Sequence, residues 1–583
     1  MNTERLLALY DRVADAPDAI DRLRRFVIDL AVRGKLVEQN PADEPASDLL
    51  KRIAAEKARL VKAGKLKRRR LASRLDKLPF SLPKGWRWAR IREVVSDRGQ
   101  VVPDRPFTYI DVSAINKEAG LVADPRVVEP DNAPSRARKV ARPGDVVYSC
   151  VRPYLLNVAI IEADFNPRPI ASTAFEVLNG HGLVLPRYTW MALRSSFMIA
   201  CVEQRQRGQA YPAINSSDFA VLPFPLAPLA EQRRIVAKVD ELMALCDRLG
   251  ETRAAREDTR DRLTKASLAR LTAPDTDAAA FRGHARFAIH ALPALTARPD
   301  QVRHLRQTIL SLAVRGKLVE QNPANEPASQ LLEQIAVKKA RLLKARKIRK
   351  RKPREPLSPP ESAFGLPSGW TAARLSDVVV ELQTGPFGSS LHKSDYEMGG
   401  TPVVNPASIR NGRIVPVAKM AVGTDTLERL AHFKLRAGDI VMGRRGEMGR
   451  CAVVAEDEDG WLCGTGSLIL RLPDSVCAEY LATLIGSPDV REYLQGSSVG
   501  TTMRNLNQSI LLAMSIGLPP LAEQHRIVAK VDALMALCDQ LEAEAGYADR
   551  IRSRLLDSLL HESLASQEAS INGTVGGGAR VWT

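Results

Sequence analysis

The sequence has few cysteines and lacks the short motifs of nucleotide- and DNA-modifying enzymes. Its seven cysteines, in 583 residues, form no Cys-x-x-Cys pair, and its eight histidines show no metal-ligand spacing. It contains no G-x-x-x-x-G-K-S/T loop, no N-P-P-Y or D-P-P-Y tetrapeptide, and no lysine with an acid two residues before it. We therefore expect reduced packing cysteines, no metal site and no catalytic residue in this chain.

Long apolar runs are absent as well. No stretch of 18 apolar residues occurs, so no membrane span is predicted, and the first 18 residues lack the apolar core of a signal peptide. We expect a cytoplasmic protein with three or four domains. Acidic residues are the scarcer charge, 67 against 85 basic residues, which gives a formal net charge of +18. Such a surplus favours a polyanionic partner.

Two passages of the chain occur twice. LAVRGKLVEQNPADEPASDLL at 30–50 returns at 312–332, changed only at Asp43/Asn325 and Asp48/Gln330, and the passage at 228–249 returns at 520–541. So long a period indicates two copies of a domain-sized unit. Packing alone does not require the polar exterior to repeat. Two explanations stay open: two equivalent docking surfaces for one partner, or a recent duplication.

The second passage predicts a long helix in each copy. Its apolar residues are spaced 4, 3, 4, 3, which is typical of a coiled-coil seam. We expect these helices to begin after Pro228 and Pro520 and to run to about Leu271 and Leu564. The seam residues are Ile235, Val239, Leu242, Cys246 and Leu249 in the first copy, and Ile527, Val531, Leu534, Cys538 and Leu541 in the second.

The first passage predicts a short amphipathic helix, a turn and a second helix. Ile20, Leu23, Val27 and Leu30 share one face, as do their counterparts Val302, Leu305, Ile309 and Leu312. Gly34 suits the left-handed position that ends a helix, and Pro45 precedes the next one. Basic tracts follow at 62–75 and 338–354; each is either a solvated linker or a phosphate-contacting segment.

Between the repeated passages lie two segments, here called interiors, which differ in amino-acid sequence but have the same predicted order of secondary-structure elements. Each opens with a Pro-x-Gly-Trp tag, continues with short strand-like runs punctuated by Pro and Gly, and then has a helix and a glycine-bearing loop. The strands are expected within 107–112, 144–149, 401–405 and 438–442, the helices at 187–204 and 475–494, and the loops at 205–215 and 497–507. This is the pattern of two domains of one fold with different specificities.

Several long phrases carry a family resemblance: PSRARKVARPGDVVYSCVRPYLLNVAII, GPFGSSLHKSDY, KLRAGDIVMGRRGEMGRCAVV and PLAEQRRIVAKVDEL. Over nearly its whole length the chain resembles the DNA specificity subunit of type I restriction–modification enzymes. The resemblance implies an α+β fold: two mixed α/β target-recognition domains joined by long antiparallel coiled-coil-like helices with a pseudo-two-fold internal repeat. The linker is longer than a minimal spacer needs, which leaves the distance between half-sites open.

The repeats and the resemblance together divide the chain into eight segments. These are an N-terminal helical region (1–80), a first recognition domain (81–227), a first spacer helix (228–271), a linker (272–300), a second helical region (301–355), a second recognition domain (356–519), a second spacer helix (520–565) and a disordered tail (566–583).

The resemblance also implies a division of labour. Each recognition domain would read one half of a split site in double-stranded DNA, while the helices would dock two methyltransferase subunits. S-adenosylmethionine, ATP and Mg would be bound by those partners and by a motor–nuclease subunit, and none by this chain. Two other hypotheses remain: a single-chain enzyme that methylates or cuts DNA, and a scaffold that binds nucleic acid without sequence preference.

Base reading calls for Arg, Lys, Asn, Gln, Ser or Thr on exposed loops, since these side chains match the groups at base edges. The groups next to glycine are the strongest candidates, because glycine permits a close approach of the backbone. The predicted DNA-contacting residues are Arg136, Arg138, Lys139, Arg152, Tyr154, Arg205, Arg207 and Gln209 in the first domain, and Lys393, Ser394, Arg444, Arg445, Arg504, Asn505 and Asn507 in the second.

Overall fold

The structure is a computed structural model that describes residues 14–66, 78–273, 277–348, 365–496 and 506–572, with side chains up to 564. The chain forms two compact units. The first is Met1–Ala255 with Asp549–Thr583, and the second is Arg256–Ala548. Each unit therefore contains the first part of one long helix and the last part of the other. The long helices are Leu229–Thr272 and Leu521–Asn572.

The first unit holds the first recognition domain. An antiparallel pair, Arg87–Arg90 with Pro223–Leu226, joins the beginning of this interior to its end. Between them, one sheet has the order Phe175–Leu178, Val146–Ser149, Val158–Ile160, Leu121–Val122, Ile115–Asn116, and another has the order Arg126–Val128, Phe107–Ile110, Pro169–Ser172, Ala137–Val140. Apart from the long ones, the α-helices in the described part of this unit are Ala19–Val32, Ala46–Lys62, Ile91–Val94, Pro186–Arg194, Ser196–Glu203 and Ser216–Ala220.

The second unit repeats this plan. Thr371–Arg374 pairs with Ser515–Leu518 at the two ends of the interior. One sheet has the order Glu381–Thr384, Ser467–Arg471, Ile440–Gly443, Cys451–Val453; another has the order Tyr396–Glu397, Ala421–Val422, Thr401–Val404, Leu462–Cys463; and Ile409–Arg410 pairs with Arg413–Ile414. Where the structure describes this unit, its shorter α-helices are Ala278–His290, Leu292–Leu295, Pro299–Val314, Ala328–Lys344, Leu375–Val378, Thr424–Arg429, Ala478–Gly486, Pro488–Gly496 and Gln508–Ala513.

The turn in the first repeated passage forms as predicted. Gly34 and Gly316 have φ of +66° and +64°, in the left-handed region. A Cβ on Gly34 would lie 2.4 Å from Pro83 Cγ, and one on Gly316 would lie 2.4 Å from Pro367 Cγ. Glycine is therefore required here both for its backbone angles and for its lack of a side chain. The turn seats the Pro-x-Gly-Trp tag against the helix that precedes it.

The lysine of this turn donates a hydrogen bond to the last part of a long helix or to the residue just after it. In the first unit, Lys35 Nζ donates to the carbonyl oxygen of Leu564 at 2.6 Å. In the second unit, Lys317 Nζ donates to the carbonyl oxygen of Ala273, just after the first long helix, at 2.7 Å. In the second unit this bond places a positive charge at the carboxyl end of the helix Leu229–Thr272, which is favourable. One reason for the repeated Arg-Gly-Lys sequence is thus internal to the fold.

A buried clamp explains another part of the repeat. The indole nitrogen of Trp86 donates to Glu231 at 2.9 Å, and the Gln39 amide donates to the same carboxylate at 3.1 Å. In the second copy, Trp370 and Gln321 donate to Glu523 at 2.9 and 3.3 Å. Burial raises the pKa of Glu231. The matching glutamines are therefore structural, which removes them from the argument for a repeated docking surface.

Most of the residues predicted for the seam are buried or partly buried. Ile235, Val239 and Cys246 are buried, as are their counterparts Ile527, Val531 and Cys538. Leu242, Leu534 and Leu541 are partly buried and pack against the two cores. The prediction is wrong for Leu249, which is 39% exposed. In the first copy the buried stripe ends at Cys246.

Four predicted segments differ from the structure. The linker 272–300 contains helices Ala278–His290 and Leu292–Leu295, whose apolar faces pack on Leu268, Leu271 and Leu312. The helices predicted at 187–204 and 475–494 are each broken in two, at Ser195 and Ser487. The tail predicted to begin at 566 instead continues the second long helix to Asn572.

Candidate nucleic-acid interface

In the first domain, the loop 150–157 connects two strands of the larger sheet and is fixed from both sides. Ser149 N–H donates to the Asn157 carbonyl at its base. Ile214 N–H donates to the carbonyl of Cys150 at 3.0 Å, and Arg152 N–H donates to the carbonyl of Pro212 at 2.8 Å. These bonds bring two sequence-distant loops together at one edge of the domain.

The partner loop is a small hairpin. Arg207 and Ala213 exchange backbone hydrogen bonds of 2.8 and 2.9 Å, and Gly208 has φ of +91° at the turn. The hairpin carries Arg205, Arg207 and Gln209, all exposed, towards the loop that carries Arg152 and Tyr154. The structure thus groups five of the eight residues predicted for this domain around two bonded loops.

The same two loops expose four apolar side chains: Val151, Tyr154, Leu155 and Tyr211. Tyr211 is 69% exposed, and its ring lies under the Arg152 guanidinium, 4.6 Å from ring centroid to carbon. Apolar groups left exposed together mark interaction surfaces. Of these four residues, only Tyr154 was predicted from the sequence. The signal for Tyr211 was an aromatic residue next to proline in a glycine-bearing loop.

The other predicted residues of this domain lie on the strand Ala137–Val140 of the second sheet, or just before it in the case of Arg136. Arg136 is exposed and Arg138 is half-buried. Lys139 is buried, and its ammonium pairs with Glu176 at 3.2 Å; Glu176 also accepts a hydrogen bond from Ser216. A buried lysine held in this way is engaged inside the domain, so we assign it to the fold rather than to the DNA surface.

The second domain has an equivalent loop after Ile440–Gly443. Arg444 N–H donates to the Gly466 carbonyl and Leu506 N–H donates to the Arg444 carbonyl, matching the bonds that Cys150 makes with Ala174 and Ile214. Arg444 is half-buried and Arg445 is exposed. Cys150 and Arg444 therefore occupy corresponding loop positions, and the two domains differ in the side chain at that position.

The remaining predicted residues of the second domain fall in different places. Lys393 and Ser394 are exposed in a short 3₁₀ helix at 393–395. Asn507 caps the helix Gln508–Ala513, since its side chain accepts from the Ser509 and Ile510 N–H groups. This role matches that of Asn215, which caps Ser216–Ala220. Arg504 and Asn505 lie outside the described residues.

The cysteines near these loops are packing residues. Burial raises the pKa of Cys150 to about 12, and burial likewise raises that of Cys451 to about 12. Thiols with such pKa values stay protonated near neutral pH and are poor nucleophiles. Within the part of the chain that the structure describes, no group of three His, Cys, Asp or Glu side chains could hold a metal ion.

Comparison with known proteins identifies the family. A model of the type I restriction modification DNA specificity domain matches residues 367–546. The type I restriction enzyme EcoAI specificity subunit of Escherichia coli is 30% identical over 93% of each chain. The chain belongs to the family of type I restriction–modification specificity subunits. The EcoEI specificity subunit of Escherichia coli is similar as well, 29% identical over 94% of each chain.

A solved structure agrees with this assignment. A chain from a study of complex assembly and conformational transition of the type I restriction–modification system aligns with a TM-score of 0.52 at 25% identity, over 83% of this chain and 99% of that one. The specificity-subunit resemblance, the mixed helix and sheet fold, and the prediction of a recognition subunit rather than an enzyme are confirmed. No helix among the described residues of this specificity subunit could cross a membrane.

Proposed function

We propose that this specificity subunit reads a split, asymmetric site in double-stranded DNA, one half with each recognition domain, and docks two methyltransferase subunits. The proposal rests on the observation that the two copies share the same supporting hydrogen bonds but differ in the side chains of their exposed loops. The Trp–Glu–Gln clamp and the backbone bonds around Cys150 and Arg444 recur in both copies, whereas the exposed side chains on those loops differ. A constant frame with variable loops suits two readers of different sequences.

The basic surplus supports DNA as the ligand. A formal net charge of +18 supplies the electrostatic attraction that phosphate contacts require, while base contacts on the loops supply sequence preference. In the first domain, Arg136, Arg205, Arg207 and Gln209 are exposed and available for such contacts.

Repeated exposed leucines support two equivalent partners. Leu245 and Leu537 occupy the same position in the two copies of the long-helix passage and are 38% and 53% exposed. Exposed alanines flank each of them at matching positions, Ala237 and Ala244 in one copy and Ala529 and Ala536 in the other. Among the described residues, none of these side chains belongs to the two main hydrophobic cores. Because the same apolar surface occurs in both copies, it suits two copies of one partner, one bound at each surface.

In this proposal the chain binds no cofactor. S-adenosylmethionine belongs to the methyltransferase subunits, and ATP and Mg belong to a motor–nuclease subunit that joins the same assembly. The chain's own contribution is to position that machinery on a chosen sequence.

The test of DNA reading is methylome sequencing of a host that carries the methyltransferase subunit, with and without this chain. We expect one split motif to be methylated only when the chain is present. Methylation that does not depend on the chain, or that shows no motif, would refute the proposal. Turnover by the purified chain alone would favour a single-chain enzyme.

The test of docking is the stoichiometry of the complex by native mass spectrometry. We expect Leu245→Arg or Leu537→Arg to reduce two bound methyltransferase subunits to one, and the double variant to remove both. Leu263→Arg is the matched control, because Leu263 is 39% exposed on the first long helix but lies outside the repeated passage. Unchanged stoichiometry in the double variant would place the docking surface elsewhere.

A further inference from the structure

Arg152 has a left-handed backbone conformation, and the equivalent position of the second domain is occupied by glycine. The loops 149–157 and 443–450 are closed by the same bond, from Ser149 N–H to the Asn157 carbonyl and from Gly443 N–H to the Arg450 carbonyl. Counted from the first residue of each loop, Arg152 corresponds to Gly446. Both are left-handed, with φ of +47° and +82°. Arginine at this position costs about 1 kcal/mol or more relative to a relaxed backbone, whereas glycine costs little.

A second position of the same loop also has a left-handed non-glycine residue where the second domain has glycine. Counted back from Asn157 and Arg450, Leu156 corresponds to Gly449, and their φ values are +53° and +79°. The first domain thus keeps the loop shape with larger side chains where the second domain uses glycine. A non-glycine residue persists in a left-handed conformation when the surrounding structure holds it there. What the first domain gains is a guanidinium and an apolar group at the loop surface.

The guanidinium of Arg152 is positioned by Tyr211. The ring lies 4.6 Å below it, and Arg152 N–H is bonded to the carbonyl of Pro212, the next residue after the tyrosine. The hairpin bonds between Arg207 and Ala213 hold that tyrosine in turn. Stacking on a ring occupies the face of the guanidinium and leaves the N–H groups at its edge free to donate.

Arg152 also differs in its partners from two exposed arginines of the same domain. Arg207 is paired with Asp218 at 3.4 Å, and Arg168 with Asp104 at 2.7 Å. For Arg152, no carboxylate lies within ion-pair distance among the described residues of the chain. Its fixed, planar fork of donors matches the O6 and N7 acceptors of guanine in the major groove, the commonest specific arginine contact to a base.

We propose that Arg152 reads a guanine in the half-site of the first recognition domain and that Tyr211 is the positioning residue that aims it. This inference rests on the proposed function. A phosphate contact by Arg152 is the competing role, and the two roles differ in what they do to the recognised motif. Loss of a base contact relaxes one position of the motif, whereas loss of a phosphate contact weakens binding to all sequences equally.

The experiment uses the full chain with its methyltransferase partner in a host whose methylome is sequenced. The variants are Arg152→Gly, Tyr211→Ala and Tyr211→Phe. Arg152→Gly should fold, because Gly446 shows that the loop accommodates glycine, and its melting temperature verifies this. We expect Arg152→Gly and Tyr211→Ala to relax one guanine of the first half-site, raising relative methylation of other bases there roughly five- to hundredfold. Tyr211→Phe should keep the motif, since the ring remains.

Arg126→Lys is the matched control, because Arg126 is an exposed arginine of the same domain that is paired with Asp111. An unchanged motif in folded Arg152→Gly, relaxation at a base other than guanine, or uniformly weaker methylation with no relaxed position would overturn the inference. Each of these outcomes leaves the wild-type motif in place, so the proposed function stands. Absence of any motif with the wild-type chain would refute the proposed function itself.

Discussion

At the residue scale, differences between the two copies are coupled. Asp29 is buried, and its carboxylate accepts from the Ser196 N–H at 2.8 Å and from the Ser196 hydroxyl at 2.6 Å, at the first turn of Ser196–Glu203. In the second copy the corresponding residues are Ser311 and Pro488. Proline at the first helical position has no N–H to satisfy, so the acidic acceptor is not needed. Two substitutions on different elements therefore make one consistent change.

This coupling predicts unequal effects of the same truncation. Asp29→Ala removes the carboxylate that accepts both Ser196 hydrogen bonds and should lower the free energy of unfolding by about 1–3 kcal/mol. Ser311→Ala, the matched control at the equivalent position, should cost less than about 1 kcal/mol. Denaturant unfolding of both variants measures the difference. Equal losses would mean that the Asp29 bonds do not support the first unit.

At the scale of elements, the seam of the long helices has a sharp boundary. Val239 is fully buried, whereas Leu249 is 39% exposed, although both fit the same spacing. Val239→Asp should therefore destabilise the protein by about 3–5 kcal/mol, because an unpaired charge would be buried. Leu249→Asp, the control, should change stability by about 0.5 kcal/mol or less. Thermal unfolding compares the two; a large loss for Leu249→Asp would show that the seam extends past Cys246.

Periodicity predicted these helices, their proline entrances and the Gly34 turn, because those features depend on residues close in sequence. It did not predict where the seam ends, since that depends on which distant segment covers each turn. The breaks at Ser195 and Ser487 were missed for a different reason. Each serine hydroxyl donates to the carbonyl three residues earlier, a local bond that a continuous apolar pattern conceals.

The candidate site was predictable by residue type but not by role. Arginines in glycine-bearing loops were found in the sequence, and the structure brings Arg152 and Arg207 onto two bonded loops. Burial of Lys139 against Glu176 and capping by Asn507 could not be read from the sequence, because both depend on tertiary neighbours. Tyr211 was not predicted, because its role depends on its contact with the Arg152 guanidinium, a residue distant in sequence.

At the scale of the whole molecule, each unit is completed by the end of a long helix that begins in the other. Residues 556–560 pack on Ala16 and Ala19 in the first unit, and Leu268 and Leu271 pack near Leu312 in the second. A fragment of residues 1–275 would keep one recognition domain but lose the segment that covers its first short helix. The fragment would retain residues 256–272, the end of the first long helix, but would lack the part of the second unit on which these residues pack.

Two such fragments can exchange these segments around a two-fold axis. We predict that the fragment 1–275 forms a dimer and, with methyltransferase subunits, methylates an inverted repeat of its own half-site. Light scattering and a methylation assay on a palindromic library measure this. The control is Lys35→Ala, which removes a contact to the covering segment and should weaken the dimer. A soluble monomer without a palindromic target would show that the repeat reflects ancestry rather than working symmetry.

The central claim is that the two interiors read separate halves of one site. The most direct measurement is methylome sequencing after residues 87–225 are replaced by the equivalent segment of a related specificity subunit. The retained clamp of Trp86, Glu231 and Gln39 should support the new interior. We predict that one half of the recognised motif changes while the other half is unchanged. A change in both halves would contradict the account.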